Sequence, residues 1–171
     1  MLADPLASPV RGLALRPSVE LDAPELLVLQ RCCWVQEAIA NDTLAIPPLH
    51  EDLDDVRRWG QVWTTVVGRL ESRLVTAGRG RRVGTDWEVG RLMPTRAPRR
   101  CADLAGRGVG RWLLASVEAL APAGTTRTTL FTGSGSHRNL RLYAAAGYVV
   151  DEQAQDAPTH VPGTVALAKP R

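Results

Sequence analysis

The sequence predicts a mixed α/β domain. Two observations lead to this class: the size and composition of the chain, and the order in which helical and strand-like segments follow one another. The chain has 171 residues, of which 44% are apolar, so it is long enough for one folded domain and too apolar for a disordered protein. Periodicity gives the order β-α-α-β-β-β-α-β-α-β-β. We expect residues 1–11 to form an N-terminal tail and residues 12–171 to form a single domain.

The first half of this domain starts with a strand, two helices separated by a loop, and a meander of three strands. Asp22 is expected to cap the first helix, and Pro24 is acceptable in its first turn. The adjacent prolines Pro47 and Pro48 place a loop between the two helices. Valine- and threonine-rich stretches with turns between them predict antiparallel strands. The predicted bounds are 12–16 for the first strand, 22–40 and 51–59 for the helices, 41–48 for the loop, and 62–67, 73–81 and 87–93 for the meander.

The second half begins with an irregular stretch and continues as helix, strand, helix and two short strands. Val109, Leu113 and Val117 lie on one stripe of a strong helix. Ser136 can cap the following helix, and Gly147 ends it. The predicted bounds are 94–103 for the irregular stretch, 109–120 and 136–146 for the helices, and 127–131, 148–150 and 165–167 for the strands.

The composition argues against several classes of function. Twenty-one basic residues face 18 acidic ones, and the short basic clusters at 79–82 and 96–100 are not the concentrated stripe of a nucleic-acid-binding protein. Three cysteines and three histidines lack the spacing of a metal site or a disulfide framework, so we expect no metal. No segment has the length of a membrane span, and the N-terminus lacks a signal peptide. We therefore expect a cytoplasmic protein, and the arginine bias is typical of a GC-rich, bacterial genome.

The most informative motif is a glycine-rich turn directly before a predicted helix, Gly106-Arg107-Gly108-Val109-Gly110-Arg111. Glycines let backbone N–H groups converge, and the N-terminus of the helix adds a partial positive charge. The two arginines add full charges. The turn is therefore suited to a phosphate or pyrophosphate, with a glycine turn that only starts a helix as the alternative. It is neither a P-loop nor a dinucleotide fingerprint.

A second motif follows on the next predicted helix. Asn139 and Tyr143 are four residues apart, so they share a helical face. Gly147 and Tyr148 complete the pattern. A tyrosine hydroxyl is a plausible proton donor to a thiolate, and a tyrosine at the edge of the core is the alternative.

Together and in this order, the two motifs resemble the GCN5-related N-acetyltransferase (GNAT) family. The resemblance extends over most of the domain. It implies a mixed central sheet of about six to seven strands flanked by about four helices. It also implies an N-acetyltransferase that uses acetyl-CoA as co-substrate and transfers the acetyl group to a primary amine by direct attack in a ternary complex.

The resemblance also implies roles for individual residues. Tyr143 falls at the position of the general acid that protonates the departing thiolate. Glu88 falls where a carboxylate takes a proton from the amine, with Asp86 as the alternative, although Glu88 could instead simply pair with an arginine such as Arg91. The implied contacts with the cofactor are Leu92 and Met93, the turn residues Gly106, Arg107, Gly108, Val109, Gly110 and Arg111, and Ser136 and Asn139.

In this family the first two helices line the acceptor side. Five acidic residues there would suit a cationic amine, on a small molecule or a protein, but acids in a first helical turn are also explained by the helix dipole. Three tryptophans could wall an acceptor pocket or belong to the core. The acids are Asp42, Glu51, Asp52, Asp54 and Asp55, and the tryptophans are Trp34, Trp59 and Trp63.

Two departures from the family pattern keep an alternative open. Ala105 replaces the usual first residue of the phosphate turn, and the link from Met93 to Asp103 is several residues longer and begins with Pro94, which lacks an N–H. These departures favour a catalytically impaired domain that binds acyl-CoA or regulates another protein. An arginine-rich nucleic-acid-binding protein is a third hypothesis. The sequence leaves the formation of a homodimer open.

Overall fold

A computed structural model of the chain describes residues 7–94, 104, 106–157 and 161–171. Its strands form one seven-stranded sheet, which confirms the predicted mixed sheet. The strands are β1 (Ala14–Pro17), β2 (Thr64–Leu70), β3 (Arg73–Val83), β4 (Asp86–Pro94), β5 (Arg127–Gly133), β6 (Val149–Val150) and β7 (Thr164–Pro170). Their order across the sheet is β1-β2-β3-β4-β5-β7-β6. In the described part of the chain β4 and β5 pair in parallel, and the other neighbours pair antiparallel.

Four helices of nine residues or more flank the sheet, as predicted, and two single-turn helices accompany them in the described residues. The longer ones are α1 (Ala23–Ala40), α3 (Leu53–Val62), α4 (Val109–Ala119) and α5 (His137–Ala145). The single-turn helices are α2 (Pro47–His50) and α6 (Glu152–Gln155). None of the described helices combines the length and the apolar character that crossing a bilayer requires.

Local sequence explains where these helices begin and end. In α3 the Asp52 carboxylate accepts the Asp55 N–H and the Asp55 carboxylate accepts the Asp52 N–H, each at 2.9 Å, which forms a reciprocal cap. Gly147 has φ +90° and follows Ala146, the C-cap residue of α5, and this left-handed conformation favours glycine. The predicted stop of this helix is therefore confirmed.

Several predicted boundaries differ from the structure. The first strand begins at Ala14, two residues later than predicted. Val62 belongs to α3 and not to the following strand. Pro47 and Pro48, predicted to be loop, form the first turn of α2, where a missing N–H costs nothing because first-turn N–H groups have no partner within the helix.

Asp22 has a different role from the predicted cap of α1. Its side chain makes no capping bond to α1 and accepts the Val19 N–H at 2.9 Å, within a 3₁₀ turn at Glu20–Asp22. The same carboxylate accepts hydrogen bonds from Arg16 at 2.7 Å and Arg69 at 3.0 Å. Asp22 therefore ties the start of α1 to β1 and β2.

The core lies on both faces of the sheet, because successive residues of a strand point to opposite sides. Val66 packs in the cluster that contains α4 and α5, and its neighbour Val67 packs in the cluster that contains α1 and α3. A third cluster joins β1 to the start of α4 and includes Val10, which is buried although the sequence assigns it to a tail.

Candidate functional site

The sheet opens between β4 and β5. In the described residues these strands pair over three positions, Asp86–Glu88 with Arg127–Thr129, while β4 continues to Pro94 and β5 to Gly133. Because the strands are parallel, their carboxyl ends lie at the same edge of the sheet and a cleft opens there. We call it the β4–β5 cleft.

A β-bulge bends β4 beside this cleft. Ala77 of β3 pairs with Met93, and Arg79 pairs with Gly90, so Arg91 and Leu92 together face Gly78. Arg91 has φ +50°, which is uncommon for a residue with a side chain. Bulges of this kind re-aim side chains beside functional sites. The sequence did not indicate this bulge.

The glycine turn has the backbone that its sequence predicts. Gly106 has φ +79° and Gly108 has φ +81°, and α4 begins at Val109. Val109 is buried, whereas Arg107 and Arg111 are exposed. The turn therefore presents backbone groups and two arginines at the N-terminus of α4.

Gly110 shows that the predicted motifs come together. A Cβ atom on Gly110 would lie 3.6 Å from Leu142 of α5 and 3.8 Å from Pro94 of β4. The first turn of α4, the end of β4 and helix α5 therefore meet at one place. Leu92 and Met93 lie on this last stretch of β4.

Tyr143 lies buried on α5, on the same helix as the half-buried Asn139. Its ring stacks edge to face on Tyr148, with centroids 5.9 Å apart. Burial raises the pKa of the Tyr143 hydroxyl, and the negative charge of Glu37 raises it further. Among the described residues this hydroxyl makes no hydrogen bond.

Helix α1 reaches the loop between β5 and α5. Ser136 Oγ donates to the Glu37 carboxylate and accepts from Asn41 Nδ2 at 2.9 Å. Asn41 Oδ1 accepts the Gly135 N–H at 2.8 Å. The Ser136 hydroxyl, which the resemblance assigns to the cofactor, thus bonds to α1. Glu37 was missed by the sequence analysis, because nothing local marks a glutamate whose partner is 99 positions away.

Both carboxylates considered as the base are paired with arginine. Glu88 Oε2 accepts from Arg81 Nε at 2.8 Å, and Asp86 Oδ2 accepts from Arg127 Nε at 2.9 Å. Arg91, weighed as the partner of Glu88, pairs instead with Glu51 at 2.5 Å. Glu88 is the last residue of β4 that pairs with β5, so it stands where the cleft begins.

Most of the acidic residues that the resemblance places on the acceptor side have partners within the chain. Asp52 and Asp55 cap α3, and Asp54 pairs with Arg57 at 2.8 Å. Glu51 bonds to Arg91 and to Gln30. Of the predicted tryptophans, Trp59 is buried in the core cluster of α1 and α3, and Trp34 and Trp63 are partly buried and pack against this cluster.

Several sequence predictions lie outside the described residues. They are Ala105 and the part of the long link from 95 to 103. For metals, the described residues contain no group of three or more His, Cys, Asp or Glu side chains placed to hold an ion.

The fold is identified by its seven-stranded mixed sheet, which opens between parallel β4 and β5 and has a glycine turn at the opening. The chain has the GNAT fold. The PaiA N-acetyltransferase of Thermoplasma acidophilum, solved in complex with coenzyme A, is 12% identical, covers 93% of this chain and 99% of its own, and superposes with a TM-score of 0.73.

Other GNAT structures match to a similar extent. An acetyltransferase of Streptococcus agalactiae is 16% identical over 95% of this chain and 100% of its own, with a TM-score of 0.72. The ribosomal-protein-S18-alanine N-acetyltransferase of Escherichia coli is 14% identical over 92% and 93%, with a TM-score of 0.66. A scan of protein-family models gives no match, and neither does a search of curated proteins. The likeness is therefore one of fold.

Proposed function

We propose that the protein is an N-acetyltransferase that uses acetyl-CoA and transfers the acetyl group directly to a primary amine. The observation that carries this proposal is the meeting of the end of β4 beside the β4–β5 cleft, the glycine turn of α4 and helix α5, which carries the buried Tyr143. Each of these features alone has a structural explanation. Their convergence gives one cleft with free backbone groups, an anion-binding helix end and a proton donor.

The residues around the cleft fit coenzyme A. Backbone N–H groups at the start of α4, with Arg107 and Arg111, would hold its phosphates. Backbone groups of Leu92 and Met93, on the stretch of β4 that no longer pairs with β5, would hold its pantetheine amides. Asn139 would contact it from α5. Bound there, acetyl-CoA supplies a thioester that an amine can attack.

Tyr143 is the proposed proton donor. Because burial raises its pKa above the ordinary value of a tyrosine, its Oη atom holds its proton throughout the neutral pH range. Because no described residue hydrogen-bonds to this hydroxyl, we propose that it donates to a leaving group that gains negative charge in the cleft.

Two carboxylates are candidates to accept the proton of the amine. Glu88 stands at the start of the cleft and is held by Arg81. Glu37 reaches the loop between β5 and α5 from α1, where it accepts from Ser136, and it carries the charge that acts on Tyr143. We propose that one of them acts as the base, and the Glu88→Gln and Glu37→Gln variants distinguish them. Loss of the base is expected to lower kcat/KM about 100-fold and to remove the acidic limb of its pH profile.

The experiment that tests the activity is a release assay for the coenzyme A thiol with acetyl-CoA and a panel of primary amines. We expect saturable turnover with at least one amine. A protein that binds acetyl-CoA but turns over none of the panel would instead support the non-catalytic alternative. Steeply salt-dependent binding to nucleic acid, without acetyl-CoA binding, would support the third hypothesis.

A further inference from the structure

Arg79 of β3 is a buried arginine that has no ionic partner in the part of the chain that the structure describes. Its guanidinium lies between the rings of Trp59 and Trp63, 4.2 Å from each ring centroid, and the residue is 7% exposed. Its Nε and Nη1 atoms make no hydrogen bond with any described residue. Buried donors are rarely left without an acceptor, so this group requires an explanation.

The surrounding charges leave one positive charge uncompensated. Three guanidinium groups, of Arg79, Arg81 and Arg91, face two carboxylates in this part of the structure. The two carboxylates are already paired, Glu88 with Arg81 and Glu51 with Arg91. Burial, and then the charge of Arg91, lower the pKa of Arg79 to about 9. The surroundings therefore oppose the charge of Arg79, and a single negative charge would balance it.

Arg79 lies beside the β4 bulge on the face of the sheet that α1 and α3 cover. Its Nε is 3.6 Å from the position that a Cβ atom on Gly90 would take, and Gly90 lies just past the last pair with β5. Within the described ranges, Arg91 at the bulge also makes no hydrogen bond through its Nε. If acetyl-CoA binds at the start of α4 on the opposite face, this is the face from which the amine approaches.

We propose that the acceptor amine also carries a carboxylate and that Arg79 pairs with it, with Trp59 and Trp63 as the walls of the subsite. This proposal rests on the proposed function and names its substrate class. A carboxylate supplies the single charge that the cluster lacks, whereas the acids expected to attract a cationic amine are mostly bound within the chain. Flat aromatic walls also exclude water and so strengthen the ion pair.

The test compares matched amines, each an amino acid and its uncharged carboxamide, in the thiol-release assay. We expect kcat/KM to favour the acids at least tenfold. Arg79→Gln is expected to lower kcat/KM for the acids about 10- to 100-fold, which is the range for loss of a charged hydrogen bond. Because kcat/KM for the amides should not change, the preference for acids is lost. The matched control is Arg58→Gln, which removes an exposed arginine of α3 and should leave the preference intact.

Acetyl-CoA binding, measured by titration of the same variants, separates this proposal from the proposed function. If acetyl-CoA binds and the amides react as well as the acids, the carboxylate subsite is wrong and the activity stands. If acetyl-CoA does not bind, the activity itself fails. If Arg79→Gln does not fold, Arg79→Lys is the alternative variant, because lysine keeps the positive charge. The wild-type protein gives a second readout: the acids, but not the amides, are still expected to stabilise it against heat.

A separate observation concerns the outer face of α1. Val28, Cys32, Val35 and Ile39 form an apolar stripe, which we call the outer stripe. All four residues are exposed. The opposite face of the helix is buried in the core through Leu26 and Leu29. A helix that is apolar on two opposite faces usually packs on both.

The spacing of the outer stripe indicates what covers it. Successive residues of the outer stripe are four, three and four positions apart, which is the a/d spacing of a seam between two helices. This spacing is the same from either end of the stripe. An antiparallel copy of α1 therefore sets Val28 opposite Ile39 and Cys32 opposite Val35, and the same pairs recur across a twofold axis. Arg31 then faces Gln36, so like charges do not meet at that step.

We infer that α1 pairs with α1 of a second copy of this chain. Analytical ultracentrifugation should show a species of twice the 18.5 kDa of the chain, and Val35→Lys should convert it to monomer. Val150→Lys, at an exposed valine of β6, is the control and should leave the dimer intact. A monomeric wild-type protein, or a dimer that only Val150→Lys dissociates, would overturn the inference.

Discussion

Tyr143 and Tyr148 are stacked neighbours whose hydroxyl groups have different surroundings. The Tyr148 hydroxyl donates to the Glu118 carboxylate at 2.7 Å, whereas the Tyr143 hydroxyl makes no hydrogen bond among the described residues. We therefore expect a structural role for the Tyr148 hydroxyl and a chemical role for the Tyr143 hydroxyl. Because of this difference, Tyr148 serves as the control for Tyr143.

Replacing each tyrosine by phenylalanine should give opposite results. Tyr143→Phe is expected to lower kcat about 100-fold or more, because a proton donor is lost, with little change in the free energy of unfolding. Tyr148→Phe is expected to lower the free energy of unfolding by about 1 to 3 kcal/mol, because a carboxylate loses a donor, with kcat nearly unchanged. Thiol-release kinetics and urea denaturation measure the two effects. Equal activity of Tyr143→Phe and the wild-type protein would contradict the assigned role.

Asp22 predicts how stability depends on pH. Hydrogen bonds from Arg16, and then from the Val19 N–H and Arg69, lower the pKa of this carboxyl well below its ordinary value. The unfolded chain therefore binds a proton at a higher pH than the folded protein, and the stability contributed by Asp22 is present above about pH 4 and lost as the pH falls below it.

Asp22→Asn is expected to lower the free energy of unfolding at pH 7 by about 2 kcal/mol. It should also flatten the decline of stability below about pH 4. Urea denaturation at a series of pH values measures both effects. Asp54→Asn, at an exposed residue of α3, is the matched control. An unchanged acid profile in Asp22→Asn would show that other carboxyl groups govern it.

At the scale of elements, periodicity predicted most helices and strands but not their junctions. Helix α4 was predicted to within one residue, because Val109, Leu113 and Val117 pack against the sheet as their spacing indicates. The bulge at Arg91 was missed, because it depends on how two neighbouring strands pair and not on a local signal. The contact of Glu37 with Ser136 was missed for the same reason.

The contact between α1 and the loop after β5 depends on a close approach of two backbones. A Cβ atom on Gly135 would lie 2.3 Å from the Ala40 carbonyl oxygen, and a backbone atom cannot easily move away. Gly135→Ala is therefore expected to lower the free energy of unfolding by about 2 kcal/mol or more.

Gly60 of α3 is the matched control. A Cβ atom there would meet nothing within 4 Å, so Gly60→Ala should raise the free energy of unfolding by about 0.5 to 1 kcal/mol. Denaturation midpoints of the two variants measure both effects. A Gly135→Ala protein as stable as the wild type would mean that α1 does not lie against this loop.

At the scale of the whole molecule, the sequence predicted the class of fold and which motifs would meet. The glycine turn was predicted from residue type and spacing, and its backbone has the predicted conformation, because local backbone requirements depend on neighbouring residues. The role of Tyr143 stays a prediction. The charges on the acceptor side were not predicted. The sequence shows acidic residues near α3. The fold adds two arginines from the strands: Arg79 of β3 packs against Trp59, and Arg91 of β4 pairs with Glu51.

The central claim is that coenzyme A binds at the N-terminus of α4, beside the β4–β5 cleft. Gly108 and Gly124 provide a matched pair, since both have φ +81° and a Cβ atom on either would meet nothing within 4 Å. Gly108 lies directly before α4 and Gly124 lies in the turn beyond its other end. A β-branched side chain strains both backbones, but only at position 108 does it enter the proposed phosphate site.

The most direct measurement is a calorimetric titration of the wild-type protein, Gly108→Val and Gly124→Val with acetyl-CoA. We predict micromolar binding, on the order of −8 kcal/mol, to the wild-type protein and to Gly124→Val. Binding to Gly108→Val should be at least tenfold weaker. Absence of binding to the wild-type protein, or equal binding to the two variants, would contradict the claim.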